Sequence, residues 1–258
     1  FVIIDNRSKN YLFREKKILS LSDRNTGIGF DQLILLEESK TSDIFMKIYN
    51  SDGKEAKMCG NASFCVASLL FASKNINTMS IETIATSVTA NLNKNGEISS
   101  TIELPTQNFL DILTNKNVDV NNINFSAIHS SFKSGILVNM GNPHLVFLVN
   151  SLEEIDLLKY GEKIEKNELF IDGINIEIVE IINKRKLKIK FWERGAGLTL
   201  SCGSGILSAF YACYKNNLCE KETEVFLPIG KVNASCSNTK LTIRSIPVVS
   251  FLGEFNNE

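Results

Sequence analysis

The residues whose types and spacing could do chemistry are two Cys-Gly pairs, Cys59-Gly60 and Cys202-Gly203. Each follows a strand-like segment that ends in a polar loop, and each opens an apolar segment of helical length. The first reads Lys47-Ile48-Tyr49-Asn50, a loop, then Met58-Cys59-Gly60-Asn61. The second reads Lys188-Ile189-Lys190-Phe191-Trp192-Glu193, a loop, then Ser201-Cys202-Gly203-Ser204. Asn50 precedes Cys59 by nine positions and Glu193 precedes Cys202 by nine, which marks an internal repeat. A thiol at the first turn of a helix meets unpaired N–H groups and the partial positive charge of the helix end, and both favour the thiolate. The same amides suit a substrate carboxylate, and Gly60 and Gly203 let the backbone approach it closely. Two such thiols facing one carbon from opposite sides would remove a proton from one face and deliver one to the other, inverting the centre. Helix N-termini that stabilise the carbanion in a site closed to water would make a cofactor unnecessary. A single Cys-Gly before an apolar helix is ordinary packing, because free cysteine is among the most buried residue types. The shared context at equal offsets is what points to function.

The elements that must position these cysteines are also legible. Alternating segments rich in Ile, Val, Leu and Phe and flanked by turn residues predict strands. They run over 1–5, 33–37, 44–49, 80–84, 98–104, 135–140, 145–149, 174–182, 186–191 and 240–243. Asn61 to Ser73 and Gly203 to Asn216 predict helices, apolar on nearly every face and therefore buried. The repeat predicts an α/β (α+β) fold of two pseudo-symmetric domains, each a mixed or antiparallel sheet wrapped around a central buried helix. An Asn-rich stretch between Pro105 and Gly135 puts the boundary near residue 122, giving domains 1–122 and 123–245. The strand-like end, Ile246 to Phe251, is expected to carry 246–258 back to the first domain.

The chain's 258 residues carry 28 Lys and Arg against 29 Asp and Glu, a net charge of -1. That balance argues against binding nucleic acid through phosphate neutralisation. No apolar run approaches the roughly 20 residues of a membrane span, and the N-terminus lacks a basic leader, so the chain reads as cytoplasmic. Six cysteines without the framework of a secreted domain are expected to be free thiols. Cys65, Cys213, Cys219 and Cys236 are assigned to packing or surface.

At these motifs the sequence resembles the diaminopimelate epimerase family. The resemblance rests on Phe1-Val2-Ile3-Ile4-Asp5, on Gly27 to Gln32, on Asn50-Ser51-Asp52-Gly53 with Met58 to Asn61, on Gly141-Asn142-Pro143-His144, and on Glu193 to Gly197 with Thr199 to Gly205. It implies interconversion of LL- and meso-diaminopimelate, a step that feeds lysine and peptidoglycan synthesis, with no cofactor and no metal. Cys59 and Cys202 would then exchange donor and acceptor roles, with His144 and Glu193 tuning the thiols. Gly60, Asn61, Gly203 and Ser204 would hold the α-carboxylate through their backbone, and Glu193 the α-ammonium. Asn50, Asn142, Asn175 and Arg194 would recognise the distal end, with Gln32 nearby. Arg194 offers the planar fork that suits a carboxylate, and asparagine serves both a carboxylate and an ammonium. The implied partner is the small-molecule substrate, and a homodimer stays open.

Three positions depart from the family pattern. Ala62 stands where Gly is usual, Phe64 where Arg is usual and Leu198 where Glu is frequent. The family also carries an upstream strand and a Gly-Asn-Asp turn before the position of Phe1, so a chain starting at Phe1 is expected to be weakly active or inactive beside an extended form. Other readings stay open. One is a racemase of proline, hydroxyproline or another amino acid on the same paired-thiol logic. A second is thiol redox or metal chemistry, against which the absence of C-x-x-C spacing and the presence of only two histidines argue. A third is a non-catalytic binding protein that retained the fold.

Overall fold

The computed structural model describes residues 1–8 and 11–254. The chain divides into two compact units, Phe1–Ser100 with Ser245–Glu258, and Thr101–Arg244.

The first unit contains β1 (Val2–Asp5), α1 (Glu15–Ser22), β2 (Gln32–Glu37), β3 (Ile44–Asn50), the two-residue β4 (Glu55–Ala56), α2 (Gly60–Lys74), β5 (Thr78–Glu82) and β6 (Ser87–Leu92). It ends with β7 (Ile98–Glu103), which runs on into the second unit. The strand order is β1-β2-β3-β5-β6-β7, with β4 on the end of β3. Pairing is parallel between β1 and β2, antiparallel to β3, parallel to β5 and antiparallel to β6. Parallel neighbours need a crossover. α1 lies between β1 and β2 in the chain, and α2 between β3 and β5.

The second unit contains β8 (Gly135–Asn139), β9 (Pro143–Val149), α3 (Leu157–Glu165), β10 (Asn175–Asn183), β11 (Lys186–Glu193), β12 (Gly197–Thr199), α4 (Gly203–Lys215), β13 (Glu222–Leu227), β14 (Gly230–Cys236) and β15 (Lys240–Ser245). Its order is β15-β14-β13-β11-β10-β9-β8, with β12 on the end of β11. From β9 onward the alternation of parallel and antiparallel pairs matches the first unit step for step. The motif repeat in the sequence is therefore a repeat of topology, with β9, α3, β10, β11, β12 and α4 answering β1, α1, β2, β3, β4 and α2.

Burial explains why the two Cys-Gly helices carry no polar stripe. In α4 every residue from Gly203 to Cys213 is buried, and the helix packs against β8, β9, β10, β11, β13 and β14. α2 buries Ala62, Ser63, Phe64, Val66, Ala67, Leu70 and Phe71 and packs on β5 and β6. It ends at Asn75, whose left-handed φ of 53° returns its N–H to the Phe71 carbonyl.

The division between units falls at Ser100/Thr101 and not near residue 122. The weakly patterned Asn-rich stretch sends Ile112, Leu113, Ile123, Phe125 and Phe132 into the second unit's core, beside Leu145, Phe147 and Ile176. The segment Ile246 to Phe251 forms no strand. Pro247 lacks an N–H to donate, and Ile246, Val248 and Phe251 are exposed. Its residues to Gly253 and Glu254 group with the first unit, while 255–258 lie outside the described residues. β4, β6, β12, β13 and β14 had no counterpart among the predicted strands, nor α1 and α3 among the predicted helices.

All six cysteines are free. Burial pushes the Cys219 thiol up to about 11 and the Cys213 thiol further. Cys213 is fully enclosed in α4. Cys213→Ala is expected to cost about 1 kcal/mol in urea denaturation through the small void it leaves, with turnover changed by less than about twofold; a large loss of turnover at unchanged stability would contradict a packing role.

Candidate active site

Both Cys-Gly cysteines are helix N-caps with nearly the same backbone. Cys59 has φ -145° and ψ 107°, and Cys202 has φ -134° and ψ 116°. Each sulfur accepts a hydrogen bond from the amide three residues on, Ala62 N to Cys59 Sγ and Gly205 N to Cys202 Sγ, both at 3.4 Å. A sulfur accepting at a helix start lies in the positive field of the helix end. Ala62 and Phe64, two of the departures from the family pattern, are both buried, and Ala62 supplies the amide that caps Cys59.

The thiolate expected at both helix starts is not favoured at Cys202. Burial pushes this thiol well above its ordinary value, and the charges of Glu193 and Glu177 push the same way. The bonds from Ser204 and Gly205 oppose them and are outweighed. Desolvation disfavours the charged form of any acid, and two nearby carboxylates repel a thiolate. Glu193 is itself raised, first by burial and to a lesser degree by Glu177, while the Thr199 hydroxyl, the Cys202 thiol and His144 draw it down.

The second unit gathers eight of the predicted site residues. His144 is the second residue of β9, wholly buried, and its Nδ1 donates to Glu177 Oε1 at 2.7 Å. Asn142, just before β9, donates from Nδ2 to Ser204 Oγ at 3.3 Å and keeps a buried Oδ1 without a partner. Ser204 Oγ lies 3.5 Å from Cys202 Sγ. Gly203 and Ser204 are the first two residues of α4, where amides have no intrahelical acceptor. Asn175 opens β10 with its side chain committed on both sides, Nδ2 donating to the Pro143 carbonyl at 2.8 Å and Oδ1 accepting from Arg194 N at 3.0 Å. It ties the segment before His144 to the segment after Glu193. The Arg194 guanidinium is exposed and donates to the Asp172 carbonyl at 3.2 Å.

Glu193 closes β11 and Arg194 enters the turn to β12. A buried carboxylate at the end of α3 holds this turn from both sides: Glu165 Oε2 accepts from Trp192 Nε1 at 2.6 Å, and Glu165 Oε1 accepts from Gly195 N at 2.9 Å. The two bonds bracket Glu193 and Arg194. Glu165→Ala strands two donors, each worth roughly 1–3 kcal/mol when buried unpaired. The expected result is a lower urea midpoint together with a turnover loss of about tenfold; unchanged turnover in the folded variant would show that the turn needs no such clamp. Neither Glu165 nor Glu177 was among the residues singled out from the sequence. Glu177 had a signal, since it shares a strand face with Asn175 two residues earlier. Glu165 had none, because its partners lie 27 and 30 positions away.

In the first unit, Gln32 opens β2 and Asn50 closes β3. They face each other in register, with Gln32 Nε2 donating to Asn50 Oδ1 at 2.9 Å. Gln32 Oε1 is buried without a partner. Gly60 and Asn61 are the first residues of α2. A concavity of about 710 Å³ in this unit, lined by Phe1 to Asp5, Cys65, Ser68, Leu69 and Pro247 to Glu254, contains none of the predicted site residues. Among the described residues no group of three or more His, Cys, Asp and Glu side chains is placed to hold a metal ion, and no helix is long and apolar enough to cross a membrane.

The family model for diaminopimelate epimerase matches residues 1–105 and 136–249. The gap in that match falls on the Asn-rich stretch. A diaminopimelate epimerase from Pelagibacter ubique is 35% identical over 238 residues, which cover 91% of this chain and 86% of the relative. One from Prochlorococcus marinus (strain NATL1A) is 37% identical over 251 residues, covering 92% and 88%. Among solved structures, a phenazine biosynthesis protein of the PhzF family from Enterococcus faecalis superposes with a TM-score of 0.66 at 10% identity, covering 94% of this chain and 86% of that one. A hydroxyproline epimerase from Agrobacterium vitis gives 0.61 at 13% identity, covering 89% and 76%. At such identities these two likenesses speak for the fold alone, and it is the α/β fold the repeat implied.

Proposed function

The chain belongs to the diaminopimelate epimerase family, and from that membership we propose that it interconverts LL- and meso-diaminopimelate with Cys59 and Cys202 as paired acid and base. The observation that carries the reading is the matching seat of the two cysteines, each capping the helix that follows the same strand and loop. One thiolate removes the α-proton and the opposite thiol supplies a proton to the other face, so configuration inverts without a cofactor.

The charges around Cys202 suggest how the base is made. Before substrate binds, burial and the two carboxylates keep the sulfur protonated. An α-ammonium arriving at Glu193 neutralises one of those carboxylates, and the thiolate becomes accessible once substrate is present. The first-turn amides of Gly60, Asn61, Gly203 and Ser204 receive the α-carboxylate, where they also stabilise the developing carbanion. Arg194, Asn142, Asn50 and Gln32 serve the distal amino-acid end. Asn175 joins them chiefly by setting the backbone of Arg194, since its side chain is already engaged. The enzyme works in the cytoplasm on a free amino acid, and a homodimer is its proposed assembly.

A panel of LL-diaminopimelate, proline and hydroxyproline, followed for change of configuration, tests the substrate. Inversion of diaminopimelate alone is expected, because an exposed Arg fork and a set of Asn side chains suit a charged distal end. Inversion of proline in preference would replace this reading with that of a proline racemase.

A further inference from the structure

Arg194 is a cation that the fold positions but does not neutralise. Arg7, Arg24, Arg185 and Arg244 each meet a carboxylate; among the described residues Arg194 meets none. An exposed arginine without an acid is ordinary when its side chain is loose, but this one is held at three points. Its backbone N–H donates to Asn175 Oδ1 at 3.0 Å, and its Nη1 donates to the Asp172 carbonyl at 3.2 Å. Its stem lies along Gly173, where a Cβ would stand 3.4 Å from Arg194 Cδ and 3.5 Å from Cγ. Nε and Nη2 keep their donors without a partner among the described residues. That edge of a guanidinium is the side-on fork that takes both oxygens of a carboxylate.

What fixes the fork is the direction of one peptide. Gly173 has φ 76°, in the left-handed region. This torsion turns the Asp172–Gly173 peptide about the N–Cα bond of Gly173, so its sign decides which way the Asp172 carbonyl faces. With φ positive the carbonyl meets Nη1; with φ negative the peptide plane rotates and the acceptor leaves. A β-branched residue hardly ever adopts positive φ, whereas glycine does so freely. Space is closed as well, since a Cβ on Gly173 would lie 3.1 Å from the Glu165 carbonyl oxygen. The segment cannot shift to compensate. Ile171 N donates to the Ile112 carbonyl at 2.9 Å on one side, and Asn175 enters β10 in register with His144 on the other.

We infer that the Asp172–Gly173 peptide is a specificity-determining element: by holding Nη1 it presents the Nε and Nη2 edge of Arg194 to a carboxylate of the substrate. The inference rests on the proposed function for taking that carboxylate as the distal one of diaminopimelate, while the seating of the arginine stands on the geometry of the second unit. Gly173 has no functional group of its own, so it is a positioning residue that acts through Arg194.

Gly173→Val drives the peptide to turn, and Gly173→Asn, a residue that tolerates the left-handed region, keeps it. In the folded Val variant, KM for LL-diaminopimelate is expected to rise at least about tenfold, the scale of a charge-assisted bond lost. Its kcat stays within about threefold, because the lost contact is remote from the reacting carbon. The Asn variant keeps KM within about threefold of the unaltered protein, because the peptide holds its direction. In an Arg194→Ala background the Val substitution adds less than about twofold to KM, since a residue acting through Arg194 has nothing left to orient. Where the Val variant does not fold, Gly173→Ala takes its place, with KM expected to rise in the same direction. Phenylglyoxal labelling of Arg194, read by peptide mass mapping, gives a measure free of turnover: about fivefold faster in the Val variant, the scale of one hydrogen bond lost, and unmoved in the Asn variant. An unchanged KM or labelling rate in the Val variant overturns the inference, as does an equal rise in KM with and without Arg194. If the unaltered protein inverts no amino acid, the proposed function fails, while the labelling still decides whether the peptide holds the arginine.

Discussion

Cys202→Ala and Cys59→Ala are each expected to lower epimerisation by about 10³-fold, the scale on which a positioned acid or base contributes, while the folded protein keeps half of the chemistry. A variant with one thiol can still take a proton from the face that thiol serves and return one to the same face. Each variant should therefore exchange the α-hydrogen of one epimer with solvent without inverting it, and the two variants should choose opposite epimers. Stability is expected to change little, because the bond from the amide three residues on, which alanine loses, is worth about 1 kcal/mol. Proton NMR in deuterated water separates the outcomes. Two variants that exchange the same epimer would mean that the sulfurs do not serve opposite faces.

Glu193→Gln is expected to move reactivity and turnover in opposite directions. In the absence of substrate the variant removes a charge that opposes the Cys202 thiolate. Iodoacetamide should then alkylate Cys202 roughly tenfold faster at a fixed pH below the thiol midpoint, the equivalent of about one unit in the thiol. The sign is fixed by the chemistry: a thiol held up by neighbouring carboxylates gives up its proton at lower pH when one of them is neutralised. Turnover falls nonetheless, by about 10- to 100-fold, since a charge-assisted bond to the α-ammonium is worth roughly 1.5–3 kcal/mol. A variant that loses turnover and alkylates more slowly would place Glu193 in support of the thiolate and contradict the proposed activation by substrate.

Much of the fold was legible because the second half repeats the first. α2 and α4 begin within one residue of the predicted starts, and strands such as β2, β3, β10 and β11 carry clear alternation. The unit boundary was not legible, because the Asn-rich stretch looks weakly patterned while Phe125 and Phe132 pack tightly on residues far along the chain. β13 and β14 were missed for a related reason. Their alternation is blurred by Thr223, Glu224 and Asn233, and they exist because they pair with each other, β13 also with β11 and β14 with β15. The candidate site divides in the same way. Cys59, Cys202 and Glu193 stand in local motifs and could be found by spacing. Glu165 acts on Trp192 and Gly195 from a helix far along the chain, so its significance arises only when the chain has folded, and Glu177, though it shares a strand face with Asn175, meets its partner His144 only across a neighbouring strand. The expectation of a ready thiolate failed for a physical reason as well. Helix position can be read from sequence, but the burial and second carboxylate that outweigh it at Cys202 cannot.

Two sulfurs dividing one inversion between them can be examined by incubating the protein with LL-diaminopimelate in deuterated water and following label and configuration at early times. The meso product should carry one deuterium at the inverted carbon, while recovered LL-diaminopimelate remains almost unlabelled, because removal and delivery occur on opposite faces. Label entering the LL-isomer as fast as it enters the product would mean that a single base serves both faces, and the paired-thiol mechanism would be wrong.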